Sequence, residues 1–355
     1  MSKIWVLGAG QLGAMLHYSA LPLGLEVCPV DIQSEQSLDI AAEDIVTAER
    51  EQWPETTATA QLTAHAKFVN KPIFGRLADR LTQKQILDDL GIATSPWCAV
   101  DNQTKATQLF ENFGPKVLLK RRTGGYDGRG QHWLDKSENT DIPNSWPDQS
   151  IAEQKIPFED EVSIIGVRNA QGKVVFFPLS LNLHVDGILM GSLANLSAIE
   201  HLQSQAEAML GKLMQGLEYV GVMAMECFRI GDELMVNEVA PRVHNSGHWT
   251  MSGASISQFE YHLRAIADLP IPQPFIKGPT AMVNLVGTQY QKDWLDITGT
   301  ELYWYNKEVR PDRKVGHINL THQDTGKTRK SLTQLEKTLP EPYTKVIEWL
   351  NTNLG

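Results

Sequence analysis

The sequence predicts a protein that is α/β at its N-terminus and α+β beyond it. Residues 4–31 read as strand, glycine-rich turn, helix and strand, the opening of a parallel sheet. Residues 159–240 instead carry long alternating strands and a hairpin, the pattern of an antiparallel sheet. At 355 residues the chain also exceeds what one hydrophobic core usually serves. Its character changes near residues 98, 159 and 273, which divides it into segments 1–97, 98–158, 159–272 and 273–355.

In the first segment the apolar run at 4–7 is a buried strand leading into "GAGQLG" at 8–13, which matches the GxGxxG dinucleotide fingerprint. A second strand, "LEVCPVDI", carries Asp31 at the spacing of a ribose-binding acid. Glycines at such a turn let backbone N–H groups approach an anion at a helix N-terminus, so the stretch specifies a phosphate without saying whose. "KQILDDLG" at 84–91 is an amphipathic helix closed by Gly91. The second segment contains a strand ending in Lys120, the glycine-rich loop "TGGYDGRG", and the strand "SIAEQKI". In the third, "EVSIIGVRN" and "KVVFFPLSL" alternate as strands. A helix near 200–218 follows, with Ala206, Met209, Leu210, Leu213 and Leu217 on its core face. The hairpin covers 220–245 and turns at Gly231 and Asp232. Proline-rich "LPIPQPFIKGP" is a linker to a last segment with a strand, a mixed aromatic and basic stretch, and a terminal helix.

Composition narrows the function. A formal charge of −10 and a pI near 5.5 argue against a general nucleic-acid surface, while leaving room for local phosphate pockets. No apolar stretch approaches the ~20 residues of a membrane span, and the N-terminus lacks a signal-peptide pattern, so a cytoplasmic location is expected. Cys28, Cys98 and Cys227 lie far apart in apolar segments, which favours buried, reduced thiols over zinc or disulfides.

Two constellations carry chemistry. The loop at 120–131 places Gly124, Gly125, Gly128 and Gly130 around Tyr126, Asp127 and Arg129, with Lys120 just before it. Such a loop can fold its amides around phosphates and act as a lid, Lys120 adding a point charge. A flexible hairpin tip is the alternative. In the second constellation, a three-residue turn over residues 231–233 pairs Ile230 with Leu234, Phe228 with Val236 and Glu226 with Glu238. Two facing carboxylates repel, and a divalent cation reverses the sign; magnesium suits because it takes oxygen ligands and keeps waters. Asn237 starts on the opposite face and reaches the site only if the strand bulges. A shared proton is the alternative to a metal. Beyond Glu238, Arg242, His244, Asn245, Ser246 and His248 form a polar strand exit suited to a pocket rim. Lys307, Arg310, Arg313 and Lys314 are either a second phosphate site or a solvated charge run.

The order of these motifs resembles the ATP-grasp superfamily. "GAGQLG", "ADRLTQK", "GGYDGRGQ", "NLHVDGI", "NEVAPRVHNSGHWT" and "DRKVGHIN" are similar, over nearly the whole chain, to the 5-(carboxyamino)imidazole ribonucleotide synthases of purine biosynthesis. One departure is Leu181, where that family commonly has an acidic residue. The resemblance implies an ATP-grasp fold with an N-terminal Rossmann-like domain and a small C-terminal domain. It also implies a homodimer. ATP would be held by Arg80, Lys120, Gly125, Tyr126, Asp127, Gly128, Arg129, Gly130 and Gln131, together with Glu161, His184, Asn237 and Glu238. The hinge Glu153, Gln154, Lys155 and Ile156 would meet adenine, and Glu161 the ribose. Mg²⁺ would sit on Glu226 and Glu238. Tyr126, Asp127, Arg129, Arg242, His244 and Asn245 match positions near carboxyl transfer. Gly10, Gln11 and Leu12 would face Lys307, Arg313 and Lys314 across the substrate's 5′-phosphate. The rivals are another ATP-grasp purine ligase, such as a formate-using glycinamide ribonucleotide transformylase, and an NAD(P)-dependent oxidoreductase built on the glycine turn and Asp31.

Overall fold

The structure is a computed structural model that describes residues 2–355 except Tyr126, Asp127 and Asn139. Its N-terminal part is a parallel sheet of β1 (Ile4–Leu7), β2 (Val27–Val30) and β3 (Ile45–Ala48), in the order β2-β1-β3. Leu7 lies opposite both Val30 and Ala48, so all three strands end at one level. A helix, Gln11–Ala20, starts directly after the glycine turn and buries Met15, Leu16 and Ala20. Ligands of open α/β sheets collect at such carboxyl-terminal strand ends.

Four antiparallel strands form a separate small sheet: β4 (Trp97–Val100), β5 (Lys116–Arg121), β6 (Gln131–Asp135) and β7 (Ser150–Gln154), ordered β4-β7-β5-β6. Lys120 sits near the exit of β5, and the glycine-rich loop joins β5 to β6. In front of this sheet lies the helix Arg80–Asp89, capped by the Asp79 side chain and closed by Gly91 at φ +58°.

The largest sheet has nine strands. Six come from the middle of the chain: β8 (Asp160–Arg168), β9 (Val174–Phe176), β10 (Ser180–Val185), β11 (Ile188–Ala194), β12 (Gly221–Ile230) and β13 (Glu233–Ala240). Three come from the last segment: β14 (Thr280–Val286), β15 (Thr300–Trp304) and β16 (Lys314–Thr321). The order β13-β12-β8-β10-β11-β14-β16-β15, with β9 on β8, makes the last segment an extension of the same sheet. "KVVFFPLSL" does not run as one strand, because Pro178 lies in the gap between β9 and β10 and lacks a ladder donor.

Alternation on β12 sends Met223, Met225 and Cys227 into one core layer and Val222 and Ala224 into the other. Glu226 shares the second face, where the apolar packing gives way to a cavity. On β13, Leu234 and Val236 face the first layer but Ala240 faces the second. A register shift between these residues reconciles the two parities. Leu181 belongs to the first layer and is buried, so its side chain is core. Cys227 is buried as expected, whereas Cys28 and Cys98 are only half-buried, being carried on short edge strands. No helix among the described residues is long and apolar enough to cross a membrane.

The glycine turn is tightly packed. A methyl group added at Gly13 would stand 2.5 Å from the Gly8 carbonyl oxygen, a backbone atom with nowhere to go. Gly13→Ala is therefore expected to cost about 1–3 kcal/mol of stability, read as a lower urea midpoint. An unchanged midpoint would contradict the close approach.

Candidate active site

The three sheets converge on one open cavity of about 1230 Å³. One wall is the hairpin β12–β13. Glu226 lies directly opposite Glu238, as the spacing predicts, but by a different route. The turn holds two residues, Gly231 and Asp232, so Ile230 pairs with Glu233 and Phe228 with Met235. A bulge at Asn237 then absorbs one residue and returns Glu238 to the cavity face. The expected pairings of Ile230 with Leu234 and Phe228 with Val236 are corrected accordingly. The bulge also frees the Asn237 side chain to reach the site, where its Oδ1 accepts from the Lys120 ammonium at 2.9 Å.

The carboxylates have unequal surroundings. Burial, reinforced by Glu238 and Glu161, pushes the Glu226 carboxyl up, despite the opposing charge of His184. Its Oε1 is buried without a hydrogen-bond partner, 3.7 Å from His244 Nδ1. Glu238 also feels burial, but the positive charges of Arg80 and Lys120 hold it below the usual carboxylate range. Both Arg80 terminal nitrogens donate to Glu238 Oε2 at 3.2 Å. Among the described residues no three His, Cys, Asp or Glu side chains converge into a metal cage. An orphaned buried carboxylate oxygen beside a second carboxylate fits a hard cation that completes its shell with water and phosphate oxygens.

Around this pair lie most of the residues expected to hold a nucleotide. Lys120, Gly125, Gly128, Arg129, Gln131, Glu161 and His184 all line the cavity. Gly128, at φ +74°, packs against the Asp186 carbonyl in the β10–β11 turn, which brings the glycine-rich loop over the core sheet. Gly130 is a turn residue at φ +71° that is not among the lining residues, and Tyr126 and Asp127 lie outside the described residues. The hinge residues Gln154, Lys155 and Ile156 are not lining residues. The Glu153 side chain is buried and turned inward, with ion pairs to Lys120 at 2.8 Å and to Lys84 at 2.9 Å. Phe158 and Phe228 stack at 4.4 Å beside Glu161 and offer a flat apolar surface.

The opposite wall comes from the glycine turn and β16. Gln11 and Leu12 at the start of the helix Gln11–Ala20 face Lys307, Arg313 and Lys314, and Lys307 donates to the Gln11 side-chain oxygen. Arg310 also reaches the rim, but is paired with its neighbour Glu308. Gly10 lines the cavity beside them. Its N–H donates to Glu49 Oε1 at 2.7 Å and Gly13 N–H donates to Glu49 Oε2, so an internal carboxylate fills the anion cradle of the fingerprint. The parallel register explains this, since β3 ends beside β1 and Glu49 follows at the level of Gly8. Asp31 is exposed and accepts from Gln33 N–H instead of lining the cavity.

At the rim, Arg242 is paired with Glu51 at 3.0 Å. Burial and Arg242 push the His244 imidazole down to about 3, leaving it neutral. Both side-chain polar atoms of Asn245 are buried without partners on the cavity wall. Sequence reasoning missed Glu49, Glu51, Lys84, Phe158 and a site role for Phe228. The acids of "TAERE" after an apolar strand were the available signal for the first two.

His184 gives a pH prediction. Burial opposes its charge, but Glu161 Oε2 at 3.2 Å, with Glu226 and Glu238, raises it to about 9. A raised pKa contributes stability in full below the unfolded value near 6.5 and loses it as pH rises through 9. The raised Glu226 acts in the same direction at lower pH, between its unfolded value near 4.5 and its folded value of about 7. Nucleotide-free protein should therefore lose thermal stability between pH 6.5 and 9, and His184→Gln should flatten that decline. A parallel decline in the variant would refute the assignment.

Comparison with known proteins gives the family. Residues 85–259 match the ATP-grasp domain model and residues 280–331 the phosphoribosylaminoimidazole carboxylase C-terminal domain model. The chain is 48% identical to the N5-carboxyaminoimidazole ribonucleotide synthase of Escherichia coli K12 over 100% of both chains. It is 49% identical to that of Haemophilus influenzae over 98% of this chain and 96% of the relative. Among solved structures, the Thermus thermophilus synthetase superposes with a TM-score of 0.84 at 37% identity, covering 95% and 99% of the two chains. The Aspergillus clavatus enzyme in complex with ADP and 5-aminoimidazole ribonucleotide gives 0.82 at 26% identity over 98% of each. The chain belongs to the N5-carboxyaminoimidazole ribonucleotide synthase family of ATP-grasp ligases.

Proposed function

We propose that the cavity carboxylates 5-aminoimidazole ribonucleotide with bicarbonate at the expense of ATP, giving the N5-carboxy product, ADP and phosphate. The observation that carries this reading is the facing pair Glu226 and Glu238, bordered by Lys120 and Arg80, in one cavity with a second basic wall. Two anionic substrates thus have separate anchors within reach of each other.

Each side of the cavity has a distinct task. On the nucleotide side, Lys120, Arg80 and the loop 125–131 hold the phosphates, Glu161 and His184 face the ribose, and the Phe158–Phe228 stack borders adenine. The hinge 153–156 meets adenine through its backbone. On the other side, Gln11 and Leu12 amides at the helix N-terminus, with Lys307, Arg313 and Lys314, bind the 5′-phosphate of the ribonucleotide. Glu226 and Glu238 would hold Mg²⁺, which would supply charge neutralisation at the transferring phosphoryl group.

Bicarbonate oxygen attacks the γ-phosphorus, the bond to the β-γ bridging oxygen breaks, and ADP leaves with carboxyphosphate remaining. Positive charge from Lys120, Arg129 and Arg242 stabilises this step by preorganised electrostatics. The exocyclic amine of the ribonucleotide then forms the C–N bond to the carboxyl carbon, directly or through released CO₂. The bond from the carboxyl carbon to the phosphate oxygen breaks, and the departing phosphate takes the proton the amine gives up. We assign Tyr126, Asp127, His244 and Asn245 to this transfer; among the described residues, neutral His244 and unpartnered Asn245 are suited to orienting bicarbonate or amine. The glycine-rich loop excludes water from an intermediate that hydrolyses readily. The reading extends to a homodimer acting in the cytoplasm.

The filled glycine cradle disfavours a dinucleotide pyrophosphate, and the oxidoreductase alternative leaves the glutamate pair without a task. ADP release should require both aminoimidazole ribonucleotide and bicarbonate; release with formate and glycinamide ribonucleotide instead would overturn the substrate assignment. Glu238→Gln should lower kcat by about 100-fold or more while the thermal transition persists. Near-parental turnover at ordinary magnesium concentration would remove Glu238 from the metal site.

A further inference from the structure

Behind the cavity wall lies a charged cluster that substrate binding alone does not explain. Lys84, on the helix Arg80–Asp89, is 2% exposed and does not line the cavity. Its ammonium lies 2.9 Å from Glu153 Oε1 and donates to Thr94 Oγ1 at 2.6 Å; Thr94 in turn donates to the Val236 carbonyl at 2.8 Å. From the other side Lys120 approaches Glu153 Oε2 at 2.8 Å, while its ammonium also donates to Asn237 Oδ1. One buried carboxylate is therefore shared by two buried lysines, and only one of the lysines reaches the cavity.

The charge count decides what this arrangement does. A single Lys120–Glu153 pair is neutral, and a phosphate recruiting Lys120 would have to strip it from a buried carboxylate, leaving that carboxylate uncompensated. With Lys84 anchored behind, Glu153 keeps a partner when Lys120 turns to the phosphate, and the cluster presents a net positive charge to the cavity. Burial pushes the Lys84 ammonium down while Glu153 opposes this; burial pushes Glu153 up, but Lys120 and Lys84 together hold it at about 2. The ion-pair geometry fits the same picture.

We propose that Lys84 is a positioning residue for the nucleotide: by neutralising Glu153 from behind, it leaves the Lys120 ammonium available to an ATP phosphate. The proposal rests on the assignment of Lys120 to ATP. It goes beyond that assignment in giving affinity to a residue that touches neither substrate nor metal.

The test measures ADP release against ATP concentration, with ribonucleotide and bicarbonate saturating, in K84M, K84M/E153Q and K120M. K84M removes one positive charge and should raise the KM for ATP by about tenfold or more, while the KM for the ribonucleotide stays near the parental value. K84M/E153Q removes one charge of each sign and should recover most of the lost affinity. A role for Lys84 in folding alone gives no such recovery. A parental KM in K84M, or a double variant no better than K84M, overturns the proposal. If K84M does not fold, the double variant decides alone: a near-parental KM for ATP supports the mechanism and a tenfold rise refutes it. K120M separates the two levels. If K120M binds ATP normally, the nucleotide assignment falls and the proposal with it; if K120M is impaired and K84M is not, only the proposal falls.

Discussion

The structure depends on holding two carboxylates face to face at the edge of a core. Across a β-ladder such groups are about 5 Å apart and repel by roughly 3 kcal/mol at an effective dielectric near 20. Several features answer that cost. Arg80 reaches from a helix of another region to hold Glu238, His184 adds positive charge near Glu226, and the bulge at Asn237 brings a lysine-binding amide to the same spot. The result is asymmetric, with one carboxylate firmly ionised and the other held up by burial. On the reading proposed above, a cation arriving with a nucleotide would meet oxygen ligands already in place, leaving little reorganisation for the moment of reaction.

Much of the fold was legible because hydrophobic periodicity marks strands that are buried on one or both faces. The unit of β1, helix Gln11–Ala20 and β2, the β12–β13 hairpin and the helix Gln203–Gly216 are local patterns whose residues identify them without reference to the rest of the chain. The hairpin also shows the limit of that reasoning. Counting back from a three-residue turn paired Glu226 with Glu238, but the true turn is shorter and a bulge makes up the difference. Two one-residue errors cancelled. Bulges depend on which face each flanking residue must bury, here set by Val236 and Ala240 packing on opposite sides of the sheet, and that is tertiary information.

The candidate site was legible where one motif supplied several residues, as in the loop 120–131 and the run 237–245. It was opaque where the partner came from a distant segment. Glu49 entering the glycine cradle requires knowing that β3 lies beside β1, and the Lys84–Glu153–Lys120 cluster joins three elements that no spacing rule connects. The dinucleotide fingerprint is the clearest case. Its backbone does form an anion cradle as the glycines demand, yet the anion is the protein's own side chain. A motif specifies a geometry, and the remainder of the chain decides what fills it.

The last segment completes the same sheet that carries the glutamate pair. Glu226 on β12 and Lys314 at the start of β16 are therefore linked through four intervening strands by continuous backbone hydrogen bonds, with no hinge between them. The spacing between Glu226 and Lys314 is thus set within one sheet and does not run through the small β4–β7 sheet. On the proposed assignment, a single molecule bridging the two residues would have its linker length set by the strand spacing of that sheet.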